Sequence, residues 1–150
     1  MDSISMWQAT ANHRPEHPTL EGEHHCDVVI VGGGYSGLST AYHLQKANVN
    51  TIVLEMNYIG SGASGRNGGE LLTGYLGTMQ QWANKFGMEK ARALWDLSLE
   101  SIDVTQNIIK EHNIQCDFVR NGDFRPAFKR SHMDNLKRNV EYMAKYFDYH

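Results

Sequence analysis

The order of apolar and polar positions divides the chain into a polar arm, a compact βαβ pattern and a helical remainder. Residues 1–26 are polar, hold Pro15 and Pro18, and show neither a helical nor a strand period, which predicts an extended arm anchored by Trp7. Asp27-Val28-Val29-Ile30-Val31 is an unbroken run of β-branched residues closed by Gly32-Gly33-Gly34. That is the pattern of a strand buried on both faces of a parallel sheet. Over 36–48, Leu38, Ala41, Tyr42 and Leu44 recur at helical spacing, and Thr51-Ile52-Val53-Leu54-Glu55 repeats the strand pattern. Strand, tight turn, helix and strand within about 30 residues make a βαβ unit, with a right-handed crossover. Beyond Gly77 the period is helical. It predicts a short helix over 78–86 and a long one over 88–112, striped by Ala91, Leu94, Trp95, Ile102, Val104, Ile108 and Ile109. Phe118, Val119 and Phe124 flank Asn121-Gly122, the dipeptide that favours a two-residue hairpin turn, so a β-hairpin is expected over 116–128. From 131 onward Met133, Leu136, Val140, Met143 and Phe147 mark an amphipathic helix.

Composition narrows the class of protein. With 150 residues, 41% apolar, and 14 Lys and Arg against 17 Asp and Glu, the chain carries a formal charge of −3. It can support a core, so intrinsic disorder is excluded as the general state. Without a basic block it is not designed around nucleic acid, since phosphate-backbone binding needs clustered positive charge. Its longest apolar run, Val28–Val31, falls far short of the roughly 20 residues of a membrane-spanning helix, so no membrane partner is expected. Residues 1–22 lack the apolar core of a signal peptide and mix acidic with basic residues, which makes a cytoplasmic location the expectation. Cys26 and Cys116 form neither a disulfide framework nor a zinc spacing. His24-His25-Cys26 has no second ligand pair at matching spacing, so no metal is expected. Trp82, Trp95 and the Tyr142, Tyr146 and Tyr149 group read as packing residues, and Lys137, Arg138 and Lys145 as a solvated helix face.

The candidate chemistry lies in the glycines. Of 14, four fall at 32–37 and seven at 60–77. Glycine is concentrated where the backbone needs positive φ or close approach to a ligand. Gly32-Gly33-Gly34-Tyr35-Ser36-Gly37 follows a strand and opens a helix, and the acidic Glu55 closes the next strand 23 positions after Gly32. In that context the motif reads as a dinucleotide site. Gly32 permits the tight turn, Gly34 lets a pyrophosphate reach the backbone, and Gly37 allows close helix–strand packing. The helix N-terminus offers free N–H groups to the phosphates. Glu55 can accept from the adenosine ribose hydroxyls and would repel a 2′-phosphate, which disfavours NADP. NAD and FAD are separated by the second cluster. Gly60-Ser61-Gly62-Ala63-Ser64-Gly65-Arg66-Asn67-Gly68-Gly69 starts five residues after Glu55, where a simple NAD unit would enter another plain crossover. Such a segment can lay N–H groups and Arg66 along a pyrophosphate and continue towards a flavin.

Residues 27–44, Val53-Leu54-Glu55 and 62–69 together resemble the N-terminal part of the D-amino-acid oxidase superfamily of FAD-dependent amine and amino-acid oxidases. Ser64-Gly65-Arg66-Asn67-Gly68-Gly69, with Trp7-Gln8-Ala9-Thr10 upstream, is most similar to the γ-glutamylputrescine oxidase branch; the long helix and the Cys116-Asp117-Phe118 segment also fit. The resemblance implies that Gly32, Gly34, Ser36 and Gly37 line the FAD phosphates, that Glu55 binds the ribose, and that Ser64, Arg66, Asn67, Gly68 and Gly69 follow the cofactor towards the isoalloxazine. It further implies oxidation of a small amine or amino acid to an imine, with O₂ reoxidising the reduced flavin. Some relatives attach FAD through a histidine in the second segment; no histidine lies between Gly60 and Gly74, so non-covalent FAD is expected. No catalytic residue is assigned, and oligomeric state stays open.

The expected organisation is an arm over 1–26, an FAD-binding βαβ unit with the second glycine segment over 27–77, and a helical region with a hairpin over 78–150 that begins the substrate part. The fold class is α/β with a Rossmann-like βαβ unit. Two parallel strands and one hairpin leave an unfinished sheet, so the length reads as a truncation, completed by downstream strands. An FAD or NAD oxidoreductase of another substrate class, and a non-catalytic nucleotide-binding fragment, are the alternatives.

Overall fold

A computed structural model describes residues 4–150 and has an α/β architecture. In chain order the elements are α1 (Met6–Thr10), β1 (Val28–Val31), α2 (Tyr35–Lys46), β2 (Thr51–Leu54), a 3₁₀ turn (Ala63–Gly65), α3 (Met79–Phe86), α4 (Met88–Glu111) and α5 (Arg130–Phe147). They fall into two compact units, one ending at Gly69 and the other spanning Glu70–His150.

In the first unit β1 and β2 pair in parallel, Val28 opposite Thr51 through Val31 opposite Leu54. Parallel neighbours cannot be joined by a tight turn, and α2 is the crossover, packed on both strands. Both ends of the ladder are clamped. At the start, Asn50 O accepts from Asp27 N (3.0 Å), while Asn50 N donates to the Asp27 carboxylate (3.0 Å). At the far end, Gly32 N donates to Leu54 O (2.7 Å). Helix α2 stops because Asn48 takes the left-handed conformation (φ 59°) that short polar side chains tolerate. Val49 N then returns to Leu44 O, and Asn48 N to Gln45 O, which satisfies carbonyls the helix end would otherwise strand. The same device ends α4, with Asn113 (φ 49°), Ile114 N to Ile109 O and Asn113 N to Lys110 O.

The strands are less covered within this chain than their pattern predicts. β1 alternates half-buried and exposed, with Val31 86% exposed. Among the described residues one face is covered by α2 and the other is open.

The second unit is built on α4. Helix α3 opens with a capping box, Thr78 and Gln81 exchanging side-chain and backbone bonds. Gly87 (φ 87°) both ends α3 and starts α4, a turn that a side chain would strain. Met79, Ala91, Trp95 and Met143 form the core, with Trp82, Ala83, Leu99, Tyr142 and Phe147 packed around it. Trp95 meets the rings of Phe147 and Tyr149 edge-on, at 6.0 and 4.9 Å between centroids. Ser98, which an apolar stripe does not single out, is also buried. Its hydroxyl donates to Trp95 O and accepts from Gly74 N, tying the segment before α3 to the long helix.

The hairpin expected over 116–128 does not form: no strand is present there. A two-residue type I′ turn needs positive φ at both central residues, and only Gly122 (φ 87°) has it; Asn121 does not. Val119 and Phe124 are 65% and 86% exposed, so no covered face repays strand pairing, and Arg120 instead reaches Asp103 and Gln106 on α4. The arm differs from expectation as well. Ser5 caps α1 by accepting from Gln8 N, which gives the polar arm one helical turn around Trp7.

Candidate dinucleotide site

The geometry begins at the end of β1. Gly32 turns with φ 101°, a conformation that L side chains rarely adopt. It brings the first turn of α2 so close to the strand that a Cβ on Gly37 would stand 1.9 Å from Gly32 O and 3.1 Å from its carbonyl carbon. A Cβ on Gly34 would stand 2.9 Å from the Ser64 hydroxyl. Gly37 is therefore required by backbone crowding, and Gly34 is crowded by the Ser64 side chain.

Ser64 is positioned by the 3₁₀ turn, and its hydroxyl accepts from Tyr35 N (2.9 Å) at the first position of α2. The second glycine segment thus supplies the helix with a cap that its own sequence lacks, because Gly34 offers no side chain. Ser36 and Gly37 follow in the first helical turn, where an α-helix provides no carbonyl for the N–H groups. That turn holds no acidic residue. Free N–H groups at the positive end of a twelve-residue helix, with no acidic side chain in its own first turn, are a donor set that suits a diphosphate. The residues present therefore suit the pyrophosphate of a dinucleotide.

Glu55 lies just past β2. One carboxylate oxygen accepts from Gly33 N (2.7 Å), the other from Asn57 N (3.0 Å) and Ser61 Oγ (3.2 Å). An ionised carboxylate offers about four acceptor positions. These three bonds, with a weaker interaction from the Met56 amide, engage them, so an outside donor such as a ribose hydroxyl would share or replace one of the present partners. The amides of Asn57 and Gly33, with Ser61, hold the acid below its ordinary carboxylate pKa against a smaller opposing effect of burial. A depressed folded pKa means that these bonds are intact above the ordinary value and are lost as the pH falls through the depressed one. The Gly33 amide resonance in an NMR titration is accordingly expected to shift with a midpoint below the ordinary Glu value, and not to shift with that midpoint in Glu55→Gln. A midpoint at or above the ordinary value contradicts this arrangement.

Gly33, to which the motif spacing gives no role of its own, is held on several sides. It is buried, its N–H goes to Glu55, its carbonyl accepts from Gly60 N (2.9 Å), and a Cβ would meet Ile59 Cδ1 at 2.5 Å. The middle glycine of three carries no distinctive role in the motif spacing, so only the fold could reveal it. Ser61, also missed, completes the Glu55 cluster.

The remaining candidates separate. Asn67 is engaged mainly within its own segment: Nδ2 donates to Ser64 O (2.9 Å) and Ala63 O (3.3 Å), with a longer bond to the Tyr35 hydroxyl (3.4 Å), and Oδ1 accepts from Gly69 N (2.8 Å). Gly69 (φ 80°) lies under the Trp7 indole, whose ring a Cβ would meet at 2.7 Å. Arg66 is exposed and, with Ser5, Met6, Trp7, Gln8, Tyr58 and Asn67, lines an open cleft of ≈ 610 Å³. Gly68 is exposed beside it. Among the described residues no group of three His, Cys, Asp or Glu could hold a metal ion, and no helix is long and apolar enough to cross a membrane.

Comparison with known proteins places the chain in a family. The family described as DAO, FAD dependent oxidoreductase, matches residues 27–149. The chain belongs to the DAO family of FAD-dependent oxidoreductases. It is 37% identical over 142 residues to gamma-glutamylputrescine oxidoreductase of Escherichia coli K12, covering 95% of this chain and 33% of that protein. It is 36% identical over 134 residues to the probable oxidoreductase OrdL of Haemophilus influenzae, covering 89% and 31%. With sarcosine oxidase subunit beta of Rhizobium meliloti it shares 56% over 54 residues, 35% of this chain and 13% of that one. The chain thus spans about a third of the length of the first two of these curated relatives. No solved structure matches it.

Proposed function

We propose that this chain carries the adenine-dinucleotide end of a Rossmann-like FAD site in an oxidoreductase that converts an amine or amino acid to an imine. The observation that carries the reading is the junction of the β1–α2 turn with the second glycine segment, where Ser64 meets Tyr35 N and the Ser36 and Gly37 amides stand without helical partners. In this reading the Ser36 and Gly37 amides hold the pyrophosphate. Glu55 accepts one ribose hydroxyl in place of one of its present donors, and Arg66 adds positive charge from the cleft rim. The flavin, when bound, supplies the acceptor for the hydride removed from the carbon bearing the amine, and O₂ takes the electrons onward. Residues 60–74 hold neither histidine nor cysteine to bond the ring, so binding by this segment is non-covalent.

The substrate reading leans on relatives whose names refer to γ-glutamylputrescine and sarcosine, and γ-glutamylputrescine or a similar small amine is the proposed substrate. Residues 1–26 serve as an arm, 27–77 as the FAD-binding part, and 78–150 as the start of the substrate part, in a cytoplasmic enzyme. Further strands complete the two-stranded sheet.

The test is a panel of amines and amino acids offered to the protein expressed from its native gene, with peroxide and O₂ followed together. Stoichiometric peroxide with γ-glutamylated diamines or N-methylated amino acids is expected. Bound flavin with no amine turnover assigns another substrate class, and no flavin with no turnover assigns a non-catalytic nucleotide-binding role.

A further inference from the structure

Residues 60–69 are half glycine, and glycine loses more conformational freedom on ordering than any other residue. Such a segment does not hold one shape unaided. It is nevertheless held between two sets of contacts, both within the first unit. On one side Gly60 N reaches Gly33 O, Ser61 reaches Glu55, and Ser64 caps α2. On the other side lies α1. Ser5 Oγ donates to Gly65 O (3.0 Å), the Trp7 indole N–H donates to Asn67 O, and the Trp7 ring covers Gly69. The paired residues are 60 positions apart in sequence, so these are tertiary contacts of the arm and not local turn chemistry.

The contacts form a short path. Trp7 fixes the Asn67 backbone, and the Asn67 side chain fixes the Ala63 and Ser64 carbonyls. The turn so shaped aims the Ser64 hydroxyl at Tyr35 N. Three bonds therefore separate an indole on the arm from the first amide of the phosphate-facing helix.

We propose that Trp7 is a positioning residue for the cofactor: α1 holds the glycine-rich segment in its ordered shape before FAD arrives, and so sets FAD affinity. The inference rests on the FAD reading above. Ordering the loop in advance removes a cost that binding would otherwise carry. Trp7 does not act on the reacting atoms, so its loss weakens cofactor retention and leaves the chemistry of the loaded enzyme alone.

The experiment uses the protein expressed from its native gene, stripped of cofactor and titrated with FAD, alongside Trp7→Phe, Trp7→Ala, Ser64→Ala and the Trp7→Ala/Ser64→Ala pair. Amide exchange is followed over residues 60–69 and over β1 and α2. Trp7→Ala is expected to raise the Kd for FAD about tenfold, the loss of one net hydrogen bond plus ring contact. Trp7→Phe, which keeps a ring on Gly69, is expected to raise it about threefold. Exchange accelerates over 60–69 and at Tyr35 N, with β1 and α2 beyond its first turn unchanged, kcat at saturating FAD is preserved, and the pair is less than additive because Ser64 lies downstream of Trp7. Unchanged affinity and unchanged exchange in Trp7→Ala overturn the proposal while leaving the FAD reading intact. Equal acceleration across the whole first unit assigns Trp7 a general stabilising role and also overturns it. A wild-type protein that takes up no FAD overturns both.

Discussion

Gly37→Ala is expected to destabilise the first unit by about 1–3 kcal/mol or more and to abolish dinucleotide binding. The added methyl would stand 1.9 Å from a backbone oxygen, Gly32 O, with the Gly32 carbonyl carbon and Ile30 Cγ2 close behind. A flexible side chain could swing aside, but the carbonyl of a turn at φ 101° cannot. The only relief is an outward shift of α2, which would carry the Ser36 and Gly37 amides away from the phosphates and pull Tyr35 N from Ser64. Thermal unfolding and FAD titration measure the two losses. Gly62→Ala is the control, since a Cβ there meets nothing within 4 Å and the residue's φ is −85°; it is expected to change stability by less than about 0.5 kcal/mol.

Trp95→Ala carries the other large effect, about 3–5 kcal/mol. The indole is 6% exposed, sits in the core with Met79, Ala91 and Met143, and receives Phe147 and Tyr149 edge-on. Emptying that volume leaves a cavity where α5 docks on α4, and a domain is stable by only about 5–15 kcal/mol in all. Amide protection in α4 and α5 is expected to fall by two or more orders of magnitude, with a lowered melting temperature. Trp95→Phe should recover a substantial part. A melting temperature within a degree or so of the parent in Trp95→Ala would show that the core does not centre on this residue.

What could be read in advance follows from the range of the forces involved. The βαβ unit was legible because its pattern is local: β-branched runs, a glycine turn and a helical stripe each announce themselves within a few residues. Glu55 was legible for the same reason, since motif spacing puts it at the end of the second strand. The hairpin was not. Asn121-Gly122 is a turn preference, and it becomes a hairpin only where flanking residues find a face to cover, which Phe124 does not. Which faces of β1 are covered within this chain was not legible, because β-branched composition reports strand propensity, while covering a face depends on other elements. Gly33 and α1 escaped because their partners, Glu55, Gly60 and the 65–69 segment, are distant in sequence, and Ser61, six residues from Glu55, because only the turn between them brings its hydroxyl to the carboxylate. The domain boundaries and the roles of Gly32, Gly34, Ser36, Gly37, Glu55, Ser64, Arg66, Asn67, Gly68 and Gly69 towards FAD stay proposals of the sequence and of the family resemblance.

The account stands on FAD held at the α2 N-terminus and Glu55, and the most direct measurement is the identity of what the protein expressed from its native gene releases on denaturation. The expected result is intact FAD, freed without proteolysis, in one-to-one ratio with wild-type chain and absent from Gly37→Ala. Release of a nicotinamide dinucleotide, or FAD retained at wild-type level by Gly37→Ala, would contradict it.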